Sequence, residues 1–196
     1  MGSEMCIRDR AIRDTISPRI KDGKIVLDDI SLTEEDIKNI NKIYIVACGS
    51  AYHVGVVGKY VIEKMCRIPV EVQVASEFRY CDPIVGKDDL VIVISQSGET
   101  ADTKAALEEA KARGARVLSI VNVVGSAIAK ASDDVIYTWA GPEIAVATTK
   151  AYSTQLTVIY LIAAYMADKL GKISKEEYAD SVSYTHLRAH ETSLHL

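Results

Sequence analysis

Long apolar runs are missing from this sequence of 196 residues. The longest, Leu156 to Ala167, is interrupted by Thr157, Tyr160 and Tyr165. It stops short of the ~18 consecutive apolar residues that a membrane span requires. Cysteine is scarce: Cys6, Cys48, Cys66 and Cys81 form no CxxC pair, which argues against a disulfide scaffold at this chain length. An excess of positive charge is also absent. Lys and Arg number 23 against 27 Asp and Glu, a net charge of −4, which leaves no basic footprint for nucleic acid and no polybasic membrane patch. Residues 1–20 lack a continuous apolar h-region, so no signal peptide is read there. The expected compartment is reducing, the cytoplasm. Aromatics make up only 6%, within an otherwise average composition of 48% hydrophobic and 26% charged residues. That composition excludes disorder, and the short, glycine-punctuated runs exclude a coiled coil. The length suggests one domain.

What is present is a regular middle between two irregular ends. Residues 1–10 carry no apolar period. At the other end, His186, His190 and His195 place three of the four histidines in the last eleven residues. Such abrupt shifts suggest appended sequence. Residues 1–10 and 183–196 are expected to be non-native, resembling translated adapter or cloning sequence. Residues 11–42 read as a lead-in or interdomain linker, broken by Pro18, Gly23 and Asp28-Asp29, with a short helix over 32–37 capped by Ser31 or Thr33. The domain proper is expected over 43–180.

From Lys42 the pattern is regular. Apolar runs at 42–48, 70–74, 90–94, 116–121 and 134–138 predict strands, and Cys48 is expected as a buried strand residue. Between them, 51–66, 75–80, 101–113 and 126–131 predict helices, with Gly114 at a C′ position. A long helix is expected over 143–170. Strands alternating with helices, and apolar on both faces, predict an α/β fold. It is a three-layer sandwich around a five-stranded, parallel, doubly wound sheet of flavodoxin-like kind.

In such sheets ligands bind beyond the carboxyl ends of the strands, so three turns matter. After the third strand comes Ser95-Gln96-Ser97-Gly98-Glu99-Thr100, opening a helix. Its hydroxyls, its glycine and the free N–H groups of the helix start suit a phosphate monoester. It contains no Lys, so it is not a Walker A loop. The plainer alternative is an ordinary cap supplied by Ser97 or Thr100. After the first strand, Cys48-Gly49-Ser50-Ala51-Tyr52-His53 points Ser50 at the same crevice, or is simply a tight turn. The glycine order is not GxGxxG, which argues against a dinucleotide site. The third turn, Ala140 through Lys150, offers small residues and two Thr as a sugar-contacting wall, or merely a capped helix.

Other candidates fall away. His186-x3-His190 has helical metal spacing but no matching acid or Cys cluster, so no metal site is expected there. Cys6 after Met5 has the form of an N-terminal cysteine nucleophile, but no sequence that would support one follows it. Glu108-Glu109 and Asp133-Asp134 read as solvated faces.

Ser95 through Thr103, together with Ala47-Cys48-Gly49-Ser50-Ala51-Tyr52, Ala75 through Tyr80 and Glu143 through Ala151, resembles sugar isomerase (SIS) domains. The combination is specifically similar to the first SIS domain of glutamine–fructose-6-phosphate aminotransferases (isomerizing). The resemblance covers roughly residues 11–180. It implies a transferase of amino-sugar biosynthesis that converts fructose 6-phosphate and glutamine to glucosamine 6-phosphate. The implied enzyme has a glutaminase domain, two SIS domains and a homodimeric form. By resemblance, Ser95, Gln96, Ser97 and Thr100 match phosphate ligands, and Ser50 matches a sugar-contacting hydroxyl. Val146 and Thr148 match positions beside the sugar. Ala51 stands where some members carry a phosphate-contacting Ser, a loss of about 1 kcal/mol.

The groups that the resemblance implies for catalysis, a Glu, an imine-forming Lys and a His from the neighbouring subunit, belong to the second SIS domain. No catalytic residue is therefore assigned within this chain, and it is expected to bind the sugar phosphate without turning it over. A non-catalytic SIS module sensing a sugar phosphate is the alternative; it would be betrayed by a basic helix-turn-helix, and residues 1–42 show none. A stand-alone isomerase would need a base from His53 or Glu77.

Overall fold

The β-branched run after Lys42 forms a strand because each of its faces finds a helix layer to cover it. The computed structural model describes residues 3–142 and 149–182, with side chains from Ile7 onward. In chain order its elements are α1 (Ser3–Ile16), a 3-10 turn (Ser17–Arg19), β1 (Ile20–Lys21), β2 (Lys24–Ile25), α2 (Glu34–Asn39), β3 (Lys42–Ala47) and α3 (Ser50–Cys66). There follow β4 (Val70–Val74), α4 (Ala75–Phe78), β5 (Asp89–Ser95), α5 (Ala101–Ala112), β6 (Arg116–Val121), α6 (Ala127–Ala131), β7 (Asp134–Tyr137) and α7 (Lys150–Lys169).

Among the described residues the main sheet has five parallel strands in the order β4-β3-β5-β6-β7. Numbered within the sheet, that is 2-1-3-4-5, the flavodoxin-like order, whose direction reverses between β3 and β5. Side-chain alternation along the strands feeds two cores. Ile43, Ile45, Leu90, Ile92, Ile94, Leu118 and Ile120 join Ile16, Val54, Ile62 and the apolar stripe of α7 on one face. Tyr44, Val46, Val91, Val93 and Val117 join Phe78 and the buried face of α5 and α6 on the other. The three-layer α/β expectation therefore holds, with aliphatic side chains filling nearly all of both cores. Helix α3 comes close because it carries glycine where it faces the sheet. A Cβ at Gly55 would lie 2.9 Å from Ile45 Cγ2, and one at Gly58 would lie 3.1 Å from Ile45 Cδ1.

The structure revises several expectations. Thr33, not Ser31, caps α2, in a capping box with Asp36. Helix α1 runs without a break through the expected boundary at residue 10. Ala11 and Ile16 are buried, and a helix anchored there propagates outward one residue at a time at little further cost. The segment after it packs against the sheet. The Arg19 guanidinium is buried, donating to Thr15 O at 2.7 Å and Tyr137 O at 2.8 Å, and it pairs with Asp29 at 3.3 Å. Between α1 and α2 lies the β1–β2 hairpin, turning at Asp22-Gly23 with both φ positive. The region is thus not a helix-turn-helix.

Cys48 lies just beyond β3 and is half-buried rather than within the strand, because the sheet register ends at Ala47 paired with Ile94. Asp134 is not a solvated acid. It is buried at 3% exposure and accepts from Ser31 N–H at 2.6 Å, Ser31 Oγ at 2.8 Å and Arg116 Nε at 2.7 Å. Asp133 beside it does face solvent, bonded to Lys111. Of the long final helix, 150–169 is helical; residues 143–148, and with them Val146 and Thr148, lie outside the described residues.

Candidate functional site

Parallel pairing brings the loaded turns together. Ala47 pairs with Ile94 and Ser95 with Val121, so the turns after β3, β5 and β6 share the carboxyl edge of the sheet. Helices α3 and α5 both start there, next to the point where the strand order reverses. Each helix N-terminus carries unpaired N–H groups and the positive end of its dipole.

The β5–α5 loop is organised by its own hydroxyls. Ser95 is buried, and its Oγ accepts from Gly98 N–H at 3.0 Å. The same oxygen lies 3.1 Å from Thr100 Oγ1. Thr100 occupies the N-cap position of α5 yet makes no side-chain bond to that helix, so the ordinary-cap alternative fails for it. Ser97 Oγ accepts from Glu99 N–H at 3.2 Å, within the loop. Gln96, Ser97 and Thr100 are half-buried at the carboxyl edge of the sheet. The first turn of α5 thus keeps its N–H groups available, flanked by hydroxyls and an amide.

Gly98 is required twice over. Its φ is +66°, and a Cβ there would sit 2.1 Å from Ser126 Oγ. The contact locks the loop to the turn after β6, which carries residues that sequence reasoning missed. Asn122 N–H donates to Gln96 O at 3.1 Å, and its side chain accepts from Ala140 N–H at 2.9 Å and donates to Gly141 O at 3.0 Å. Asn122 therefore ties the β5–α5 loop to the turn at 140–141. Nothing in the local sequence marks that role; the three segments meet only through the sheet.

The turn after β3 supports the same edge. Gly49 precedes α3 with φ +59°, and Ser50, exposed, opens the helix. Thr103 of α5 donates to Cys48 Sγ at 3.9 Å, which joins the two turns. The structure thus brings Ser50, Ser95, Gln96, Ser97 and Thr100 to one edge. Ala51 is buried in the first turn of α3, where a methyl group offers no donor. His53 is exposed, with its ring edge-to-face against Tyr52, and Glu77 is exposed on α4. Lys150 Nζ donates to Pro142 O at 2.6 Å. No three His, Cys, Asp or Glu side chains converge as a metal site among the described residues. No helix among them is long and apolar enough to cross a membrane.

Comparison with known proteins agrees with this geometry. The sequence profile of the SIS domain matches residues 36–165. The chain is 62% identical over 178 residues to a glutamine–fructose-6-phosphate aminotransferase (isomerizing) of Clostridium acetobutylicum, covering 90% of this chain and 29% of that protein. It is also 62% identical over 174 residues to the Caldanaerobacter subterraneus protein of the same name, covering 88% and 29%. Among solved structures, the C-terminal domain of glucosamine-fructose-6-phosphate aminotransferase from Francisella tularensis superimposes with a TM-score of 0.89 at 35% identity, covering 95% of this chain and 52% of that one. The chain spans under a third of the length of the curated relatives it matches. A profile match over well more than half of the residues, on a sheet of the matching order with its hydroxyl loop at the reversal point, identifies the chain as a member of the SIS domain family.

Proposed function

We propose that this chain is the first SIS domain, with its preceding linker, of a glutamine–fructose-6-phosphate aminotransferase. Its crevice binds the phosphate of fructose 6-phosphate and of the product glucosamine 6-phosphate. The observation that carries the reading is the β5–α5 loop. Ser97, Thr100, Gln96 and the uncapped start of α5 converge at the strand-order reversal, and this donor-rich surface suits a phosphate without a metal. The shared names of the relatives above support the same substrate. Ser95 acts as the organiser of the loop, holding Gly98 and Thr100 in place. In this reading Ser50 contacts the sugar from the neighbouring turn.

Isomerisation needs a positioned base to move a proton between C1 and C2, and amination through an imine needs a Lys. In this reading both come from the second SIS domain of the whole enzyme, a cytoplasmic homodimer that also carries a glutaminase domain. No organic cofactor or metal takes part. The chain by itself then forms no glucosamine 6-phosphate from fructose 6-phosphate and ammonia.

Calorimetric titration of the full chain with fructose 6-phosphate, beside Ser97→Ala, tests the binding claim. Saturable binding that Ser97→Ala abolishes is the expected result. A folded chain that gives no binding overturns an autonomous site, and product from the chain plus ammonia overturns the claim of inactivity.

A further inference from the structure

A carboxylate in a phosphate-binding loop is electrostatically misplaced, since like charges a few ångströms apart repel. Glu99 is such a residue, and the structure shows where its charge goes. Glu99 Oε1 accepts from Ala127 N–H at 2.8 Å, the first residue of α6. Ser126, at the N-cap of α6, makes no side-chain cap bond, so Glu99 caps that helix from across the loop. Two backbone bonds flank this one: Asn122 N–H to Gln96 O at 3.1 Å, and Ile128 N–H to Gly98 O at 3.0 Å. Two carbonyls and a carboxylate of the loop therefore all point towards the β6–α6 turn. In a planar trans peptide the N–H lies opposite the C=O. The N–H groups of Ser97 and Glu99 consequently face the other way, and the Ser97 hydroxyl lies on that side, accepting from Glu99 N–H.

We propose that Glu99 is the positioning residue of the phosphate cradle. Bonded to Ala127, it turns the negative ends of the loop towards α6 and leaves the Ser97 N–H and the Ser97 hydroxyl proton to donate to the phosphorylated ligand. This role rests on the sugar-phosphate reading above. The contact between Gly98 and Ser126 supports it independently. It leaves Ser126 Oγ buried with no hydrogen-bond partner among the described residues, a cost of holding loop and turn this close.

The test is calorimetric titration of the full chain with fructose 6-phosphate and, separately, with inorganic phosphate. The variants are Glu99→Gln, Glu99→Ala and Ala127→Pro, each also unfolded in urea. Glu99→Gln keeps an acceptor oxygen and sheds the charge, so it binds as tightly as the parent or tighter. Glu99→Ala loses on the order of tenfold in affinity for both ligands. Ala127→Pro removes the donor at a helix position where proline is tolerated, after a residue already extended at ψ 165°. It weakens binding as Glu99→Ala does, and the double variant adds nothing further, because both break one bond. A purely structural role would lower the urea midpoint and leave the affinity of the folded protein unchanged. Parental affinity in Glu99→Ala, or equal losses in Glu99→Gln and Glu99→Ala, overturns the positioning role and leaves the sugar-phosphate reading standing. A folded parent chain that binds neither ligand overturns an autonomous site, and the positioning role in this chain with it.

Discussion

Ser95 and Thr100 meet hydroxyl to hydroxyl at 3.1 Å, although Thr100 stands where its side chain would ordinarily cap α5. The pair closes the loop on itself and leaves the helix start open. Ser95→Ala removes the acceptor of the buried Gly98 N–H, and an unsatisfied buried donor costs about 1–3 kcal/mol. Thr100→Val leaves Ser95 its bond to Gly98 and costs about 0.5–1.5 kcal/mol. Urea denaturation of the two variants should rank them in that order.

Gly98→Ala places a methyl group 2.1 Å from Ser126 Oγ and 2.5 Å from Ser126 Cβ at a backbone φ of +66°. The steric part and the backbone part separate by mutation. Gly98→Ala alone is expected to destabilise by about 2–4 kcal/mol. Adding Ser126→Gly relieves the clash, and about 1–2 kcal/mol of left-handed strain then remains. The urea midpoint of the double variant should exceed that of the single one.

Asp134 joins the lead-in to the sheet through Ser31 and Arg116. Burial pushes its carboxyl up, but the bonds from Arg116 and Ser31 outweigh burial and hold it below the ordinary carboxylate value. Such a group contributes stability that is fully present above the unfolded value of ~3.9 and is lost as pH falls through the lower folded value. Asp134→Asn should therefore cost about 2–4 kcal/mol at neutral pH. The deficit should shrink once the pH drops below ~4. Unfolding of both proteins at neutral pH and at about pH 3 measures the convergence; a constant difference would refute the assignment.

Burial pushes the Cys66 thiol up to about 12, where it donates to Ala163 O at 3.3 Å. The thiolate is the reactive form, so Cys66 should resist iodoacetamide in the folded chain and react once urea unfolds it. Cys81 is exposed and should be alkylated first. Peptide mapping after timed labelling reads both, and early modification of Cys66 would contradict the packing of α3 against α7.

Much of this protein was determined by the sequence alone, because the signals concerned are local. Apolar, mostly β-branched runs such as Leu90–Ile94, alternating with helices, fit a parallel sheet covered on both faces, and Gly114 takes the left-handed conformation expected after α5. The hydroxyls and glycine of Ser95–Thr100 mark a turn between a strand and a helix within six consecutive residues. Tertiary structure decided the rest, because it depends on which segments become neighbours. Asp134 reads as a surface acid beside Asp133 until the fold brings Ser31, from a hundred residues earlier, onto it. Residues 1–10 read as aperiodic, yet α1 continues from Ser3 to Ile16, and Ala11 and Ile16 find buried places in the fold. Glu99 and Asn122 carry no local mark at all. Their roles exist only because parallel pairing of β5 with β6 sets the two turns side by side, where the acceptors of one satisfy the donors of the other.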